Sequence, residues 1–165
     1  MTGATIRDAV ADDAADLLAI HNEAVRTTSA IWDEDEVDLA DRQAWLDGRL
    51  SAGLPVLMAE IDGRVVGYAS YAPWRPRSGY RHTVEDAVYV LASHHGRRLA
   101  SALIDALIVR ARHDDLHRMV AMIESGNTVS IELHARRGFR VVGQLPEVGR
   151  KFDRWLDLTL MQLDL

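Results

Sequence analysis

The chain contains no cysteine. That absence excludes disulfides, thiolate metal sites and a cysteine nucleophile, and with the last an acyl-cysteine intermediate. No apolar run approaches the roughly 20 residues of a membrane-spanning helix. The N-terminus also lacks a signal-peptide pattern, so the expected location is the cytoplasm. There is no excess of positive charge: the formal net charge is −6. Nucleic-acid binding needs a basic surface for phosphate contacts, and none is expected here. Repeats, low-complexity tracts and linkers are missing too, so the 165 residues read as one domain, 1–165. What is present is ordinary for a globular protein, with 48% hydrophobic and 27% charged residues.

Periodicity then sets out the elements. Thr5 to Val10 reads as a strand, and Asp12 or Asp13 caps a helix carrying Leu17, Leu18, Ala24 and Val25. Thr27 to Asp38 reads as a loop whose Ile31 and Trp32 are either tucked beneath it or line a pocket. Leu39 to Leu50 is a helix ended by Gly53 and Pro55. Val56 to Ile61 and Val65 to Ala72 are strands joined by Asp62-Gly63, a strong hairpin signal. Pro73 to Tyr80 is a turn-rich connection. Later, Met119 to Ile123 suits an interior strand and Thr128 to Arg137 a helix stopped by Gly138. Phe139 to Gln144 and Trp155 to Leu163 complete the set as strands. The order predicts an α/β chain with a mixed sheet and helices on both faces.

The organising stretch is Glu85 to Ala106. Ala87 to Leu91 has the composition of a buried strand, and Leu99, Leu103, Ala106 and Leu107 follow at helical spacing. Between them lies a polar turn, Ser93 to Arg98. The free N–H groups at the helix start, its dipole and the flanking arginines suit an anion, most often a phosphate. Glu85, ahead of the strand, reads either as a base or as a structural partner of Arg81 or His82. His113 and His117 have i, i+4 spacing but lack the glutamate and third ligand of a zinc site. His94-His95 reads as a polar turn. No metal is assigned.

Val88-Tyr89-Val90 followed by His94-His95-Gly96-Arg97-Arg98-Leu99-Ala100 resembles the acetyl-CoA signature of the GNAT superfamily of N-acetyltransferases. So does Asn127-x-x-Ser130 ending in Arg137-Gly138-Phe139. Within the superfamily, Trp74-Arg75, Arg81 to Glu85 and Val148 to Leu158 resemble the branch acting on phosphinothricin, methionine sulfone and methionine sulfoximine. The usual signature has Gln or Arg, Gly, and Gly or Ala where this chain has His95, Arg98 and Ala100.

The resemblance implies a GNAT-like acyl-CoA N-acyltransferase fold, with a central, mostly antiparallel sheet and acetyl-CoA as co-substrate. Cofactor contacts are then expected from Val88, Tyr89, Val90, His95, Gly96, Arg97, Arg98, Leu99, Ala100, Ser101, Asn127 and Ser130. It makes Glu85 the general base that takes a proton from the attacking amine. Free N–H groups of the Val88 to Val90 strand would serve the oxyanion. His134 stands where many relatives carry the tyrosine that protonates the leaving thiolate; its other reading is a histidine packed on a helix face. An amino-acid-like substrate is expected to meet Arg75, Pro76, Arg77, Arg81, Thr83, Glu85, Asp86, Ala87 and Lys151, with an arginine holding its carboxylate. Direct attack in a ternary complex follows from the missing cysteine. A homodimer is expected by resemblance. The alternatives are a non-catalytic acyl-CoA-binding domain, favoured by Arg98, and an acetyltransferase for protein or other amines.

Overall fold

The computed structural model describes residues 3–165, and most of its elements follow the apolar periodicity. Strand β1 (Thr5–Asp8) leads through one 3-10 turn into helix α1 (Ala14–Thr27), which buries Leu17, Ile20, Ala24 and Val25. Asp13 stands at the N-cap position but does not cap. Its carboxylate turns back to accept from Arg7 at 2.7 and 2.8 Å and from the Val10 N–H at 2.7 Å. Helix α2 (Leu39–Ser51) is capped by Asp38, which accepts from the Asp41 N–H at 2.9 Å. Strands β2 (Val56–Ile61) and β3 (Arg64–Pro73) form the expected hairpin. Asp62 and Gly63 both have positive φ, 50° and 74°, as a tight two-residue hairpin turn requires.

Strand β4 (Thr83–Val90), helix α3 (Leu99–His113), strand β5 (Arg118–Glu124) and helix α4 (Thr128–Ala135) follow. Strands β6 (Arg140–Lys151) and β7 (Arg154–Asp164) end the chain. Among the described residues seven strands make one sheet, ordered β1-β2-β3-β4-β5-β7-β6. Only β4 and β5 run parallel; the other pairs are antiparallel. Alternate residues of β2 separate the two cores. Val56 and Met58 pack with Leu17, Ile20 and Leu46 of α1 and α2, whereas Leu57 and Ala59 join Leu103, Ile104 and Leu107 of α3. Burying each of the Val, Leu, Ile and Met side chains among these contributes about 1.5–3 kcal/mol, so both helical layers are held firmly on the sheet. Among the described residues no helix is long and apolar enough to cross a membrane.

Two departures from the expected boundaries matter. β4 begins at Thr83 rather than Ala87, which draws Glu85 and Asp86 into the strand and onto opposite faces. β6 runs to Lys151 rather than Gln144. Its register breaks between Val141 and Gly143 and again between Leu145 and Gly149, and it carries Pro146, which an edge strand tolerates.

The feature that creates a site is the short β4–β5 ladder. The two strands pair only from Thr83 to Glu85, opposite Arg118 to Val120. Beyond Glu85, β4 stays with β3 as far as Val90, while β5 stays with β7 as far as Glu124. The strands splay apart, and the backbone of Asp86 to Val90 has no ladder partner on its β5 side.

Candidate active site

Glu85 and Asp86 stand where the splay begins, and the two-residue period of the strand gives them different surroundings. Glu85 is half-buried on the face of α1 and α2. Burial pushes its carboxyl up from the ordinary range, helped by the neighbouring charge of Asp86, while Arg75 and Arg49 pull it down. Asp86 is buried on the other face. Its Oδ2 lies 2.9 Å from Nε2 of His134, a side chain only 6% exposed, on α4.

The His134 ring is fixed at both nitrogens. Nδ1 lies 2.7 Å from the Ser130 carbonyl oxygen, which can only accept, so Nδ1 carries a hydrogen. Phe139 packs edge-on against the ring at 4.9 Å. Burial alone would push the ring's pKa down, but the hydrogen bond and charge of Asp86 overcome this and raise it. Asp86 and His134 line a cleft of about 60 Å³ between the splayed strands, with Val88, Met122, Asn127 and Ser130.

Around Glu85 the turn between β3 and β4 supplies cations. The Arg75 guanidinium lies 5.0 Å above the Trp74 ring, and Trp74 meets Tyr80 edge-on at 5.4 Å. Arg77 and Pro76 are exposed, as is Arg81, which donates to the Ser78 carbonyl at 3.1 Å. Thr83 is half-buried and lies in the paired part of β4. The structure therefore brings Arg75 towards Glu85 and leaves Arg77 and Arg81 on the outside of the turn. Among the described residues, the buried side-chain polar atoms without a partner are Trp74 Nε1 and Asp86 Oδ1, both at this site. Leaving such atoms unpaired in the interior is costly.

At the other end of β4, His95 Nε2 meets the Val90 carbonyl at 2.9 Å, and Gly96 takes a φ of 78°. Arg98, at the usual glycine position, is left-handed with a φ of 61° and forms the N-cap of α3 without a side-chain bond. Its side chain and that of Arg97 are exposed, while the first backbone N–H groups of α3, from Leu99 through Ala100 to Ser101, lack partners within the helix. Free donors at a helix start can receive an anion. Asn127 caps α4, its Oδ1 accepting from the Ser130 N–H at 3.1 Å.

Lys151 does not face this space. It is 1% exposed, and its ammonium donates to the carbonyls of Val25 at 2.6 Å, of Thr28 at 2.9 Å and of Ile31. An ammonium has three N–H donors, so none remains for a substrate. It instead pins the loop after α1. Ile31 is tucked beneath that loop, and Trp32 lies against Gly149, where a Cβ would come within 2.2 Å of the ring. His113 ends α3 and His117 lies beyond it, so the pair does not share a helix face.

Residue-by-residue reading missed Arg49. It donates to the Tyr71 carbonyl at 2.8 Å and stacks on Trp45 at 4.9 Å; burial lowers its pKa and the charge of Glu85 opposes that. The spacing Arg42, Trp45, Arg49 on one helix face was the available signal. A wider groove of about 770 Å³ between β1 and α3 lies apart from these residues, and its Arg110 is paired with Asp8.

The geometry agrees with the comparisons. The acetyltransferase (GNAT) family model matches residues 17–139. The L-methionine sulfoximine/L-methionine sulfone acetyltransferase of Pseudomonas aeruginosa is 56% identical, over 98% of this chain and 95% of that protein. A crystal structure of a ribosomal-protein-alanine N-acetyltransferase from Brucella melitensis is 49% identical with a TM-score of 0.96, covering 98% of this chain and 99% of that one. A GNAT phosphinothricin acetyltransferase from Sinorhizobium meliloti, solved with acetyl-CoA, is 34% identical with a TM-score of 0.96 over 100% of this chain and 89% of that one. With its splayed β4 and β5 and a family match over most of its length, the chain belongs to the GNAT family of acetyltransferases.

Proposed function

We propose that the protein acetylates the α-amino group of a small amino acid or analogue, such as methionine sulfone, methionine sulfoximine or phosphinothricin, with acetyl-CoA as donor. The observation that carries this reading is Glu85, whose raised pKa sits at the meeting point of a cation-lined face and the β4–β5 cleft. An amine is mostly ammonium at neutral pH and attacks only after losing a proton; Glu85 accepts it, directly or through water. Arg75 holds the substrate carboxylate. The unpaired N–H groups of Asp86 to Val90 receive the oxyanion, and the start of α3 with Gly96, Arg97 and Arg98 receives the pyrophosphate. With no cysteine to form an acyl-enzyme, attack is direct, in a ternary complex.

Partnering is part of the proposal. Val141, Val148, Phe152 and Trp155 on the β6–β7 hairpin are at least half exposed, an apolar surface that suits a second copy of the chain. A monomer by light scattering at assay concentration would remove this element.

The test is release of free coenzyme A from acetyl-CoA with the three analogues, wild type beside Glu85→Gln. Turnover by the wild type and its loss in the variant support the proposal. Acetyl-CoA binding by calorimetry with no amine consumed would overturn it in favour of a binding domain, the reading that Arg98 favours. Preference for an alanine-initiated peptide would favour the protein substrate named for the Brucella relative.

A further inference from the structure

Residues 28–31 reach both strands of the splayed pair. β4 and β5 part after Glu85 and Val120, and this loop touches each of them beyond that point. Ser29 Oγ donates to Glu124 Oε2 at 3.1 Å, at the end of β5. Ile31 packs on Tyr89, in the splayed half of β4. Between those two contacts Ala30 lines the cleft with Val88 and Met122. The loop is therefore one wall of the cleft into which β4 and β5 open.

That wall is held from outside. The chain leaves α1 in an extended conformation at Thr28, with φ of −134°, and residues 28–38 belong to no helix or strand. The Lys151 ammonium gathers the carbonyls of Val25, at 2.6 Å, of Thr28, at 2.9 Å, and of Ile31. Val25 lies in the last turn of α1, where carbonyls lack partners within the helix and the dipole favours a cation. The Ser29 carbonyl accepts from Trp32 Nε1 at 3.0 Å, and the Trp32 ring lies against Gly149. Lys151 and Gly149 both belong to β6, so the cleft wall hangs from the β6–β7 hairpin.

We propose that Lys151 is a positioning residue for the acyl-CoA co-substrate: it fixes residues 28–31 as the cleft wall against which the thioester end of the cofactor packs. This rests on the acetyl-transfer reading above, which places the oxyanion on the β4 side of the same cleft.

The chemistry of the contact explains why a charge is kept there. A buried ammonium is tolerated when its donors are all used, and three carbonyls match three N–H groups. Burial pulls the Lys151 pKa down, and the charges of Asp33 and Glu34, in the same loop, oppose that. Without the ammonium the three carbonyls converge on nothing, and the loop regains partners for them by moving off the hairpin towards water. Glu85 and Arg75, the proposed partners of the amine, sit on β4 and on the turn between β3 and β4. Their placement does not depend on this loop, so the loss should fall on one substrate and spare the other.

The test is Lys151→Met, which keeps an apolar stem and removes the donors. It is read by calorimetry and steady-state kinetics at a temperature where melting curves show both proteins folded. We expect the acetyl-CoA Kd and KM to rise about tenfold, with kcat and the amine KM changed by less than about twofold. A residue that only stabilised the fold would lower the active fraction instead. A fall in kcat with the acetyl-CoA Kd unchanged would overturn the proposal.

Ser29→Ala leaves the ammonium and its three carbonyls in place, and it decides the matter if Lys151→Met does not fold. It frees the wall from β5 and should raise the acetyl-CoA Kd about threefold, the amine KM staying unchanged. An unchanged Kd would overturn the proposal. Where both variants fold, the double variant should lose less than the product of the two, because a wall freed at one tie no longer benefits from the other. Losses that simply multiply would overturn the link between Lys151 and the cleft. If the wild type binds acetyl-CoA and acetylates none of the amines, the functional reading falls, while the Kd comparison still decides the role of Lys151.

Discussion

Glu85 and Asp86 are adjacent and differ by one methylene, yet the two faces of β4 make them different groups. On the α1/α2 face, Glu85 is half-buried beside Arg75 and Arg49 and has no ion pair at bonding distance among the described residues. On the opposite face, Asp86 is bound to a histidine that is itself fixed by a backbone carbonyl. The lesson is that one strand at a splayed junction supplies both halves of a proton inventory. The α1/α2 side holds a carboxylate without an ion-pair partner, the group that the proposed function assigns to the amine's proton. The other holds one already committed to keeping a proton on its neighbour.

The largest effect expected from breaking this contrast is Glu85→Gln. An amide accepts no proton, and kcat should fall about 10²–10³-fold. Stability should move the other way. The folded pKa of Glu85 is raised, so its favourable contribution is full below the unfolded value near 4.3 and is lost as pH rises through the folded value. The Gln variant should therefore melt higher than wild type at pH 7 and at about the same temperature at pH 4. A lower melting temperature at pH 7 would make Glu85 a structural ion-pair partner, and the contrast between the two faces would collapse.

The same operation on the other face should reverse the outcome for stability. Asp86→Ala strands a buried histidine and should cost about 3 kcal/mol, measured by urea denaturation at pH 6. The folded pKa of His134 is raised, so the pair's contribution is full below the unfolded value near 6.5 and is lost as pH rises through the folded value. The gap between wild type and variant should thus be wider at pH 6 than at pH 9. A gap that is constant with pH would mean that packing alone, not the charged pair, is what the substitution removes.

How far this contrast could be read from the sequence depends on where a local pattern survives. The Asp62-Gly63 hairpin and helix α3 were legible because turn chemistry and helical periodicity are local. β6 was read too short because its outer half is exposed on both faces and broken by irregular pairing, so it has no alternation to detect. Glu85 was singled out from its place ahead of an expected strand and from the resemblance, and the structure puts it inside β4, at the last paired position with β5. The Asp86–His134 bond was not: its partners lie 48 positions apart and meet only because β4 and β5 splay and α4 fills the gap. Lys151 shows the converse. A conspicuous lysine near the C-terminus invited a substrate contact, but the hairpin that carries it folds its ammonium onto the loop after α1, which a linear reading does not reveal.

The smallest effect sharpens the Glu85 side by separating its two arginines. Both pull its pKa down, Arg75 more than Arg49, so removing either should move the acid limb of kcat/KM to higher pH. Arg49 already donates to the Tyr71 carbonyl and stacks on Trp45, whereas Arg75 is exposed on the turn with its guanidinium over Trp74. Arg49→Met should therefore shift the limb by only a few tenths of a pH unit and leave the amine KM nearly unchanged. Arg75→Met should shift it slightly further and also raise the amine KM about tenfold, because a charge-assisted bond to the substrate carboxylate is lost. If the KM penalty appeared in Arg49→Met instead, the carboxylate would be held from α2, and the turn between β3 and β4 would be left with the electrostatic role.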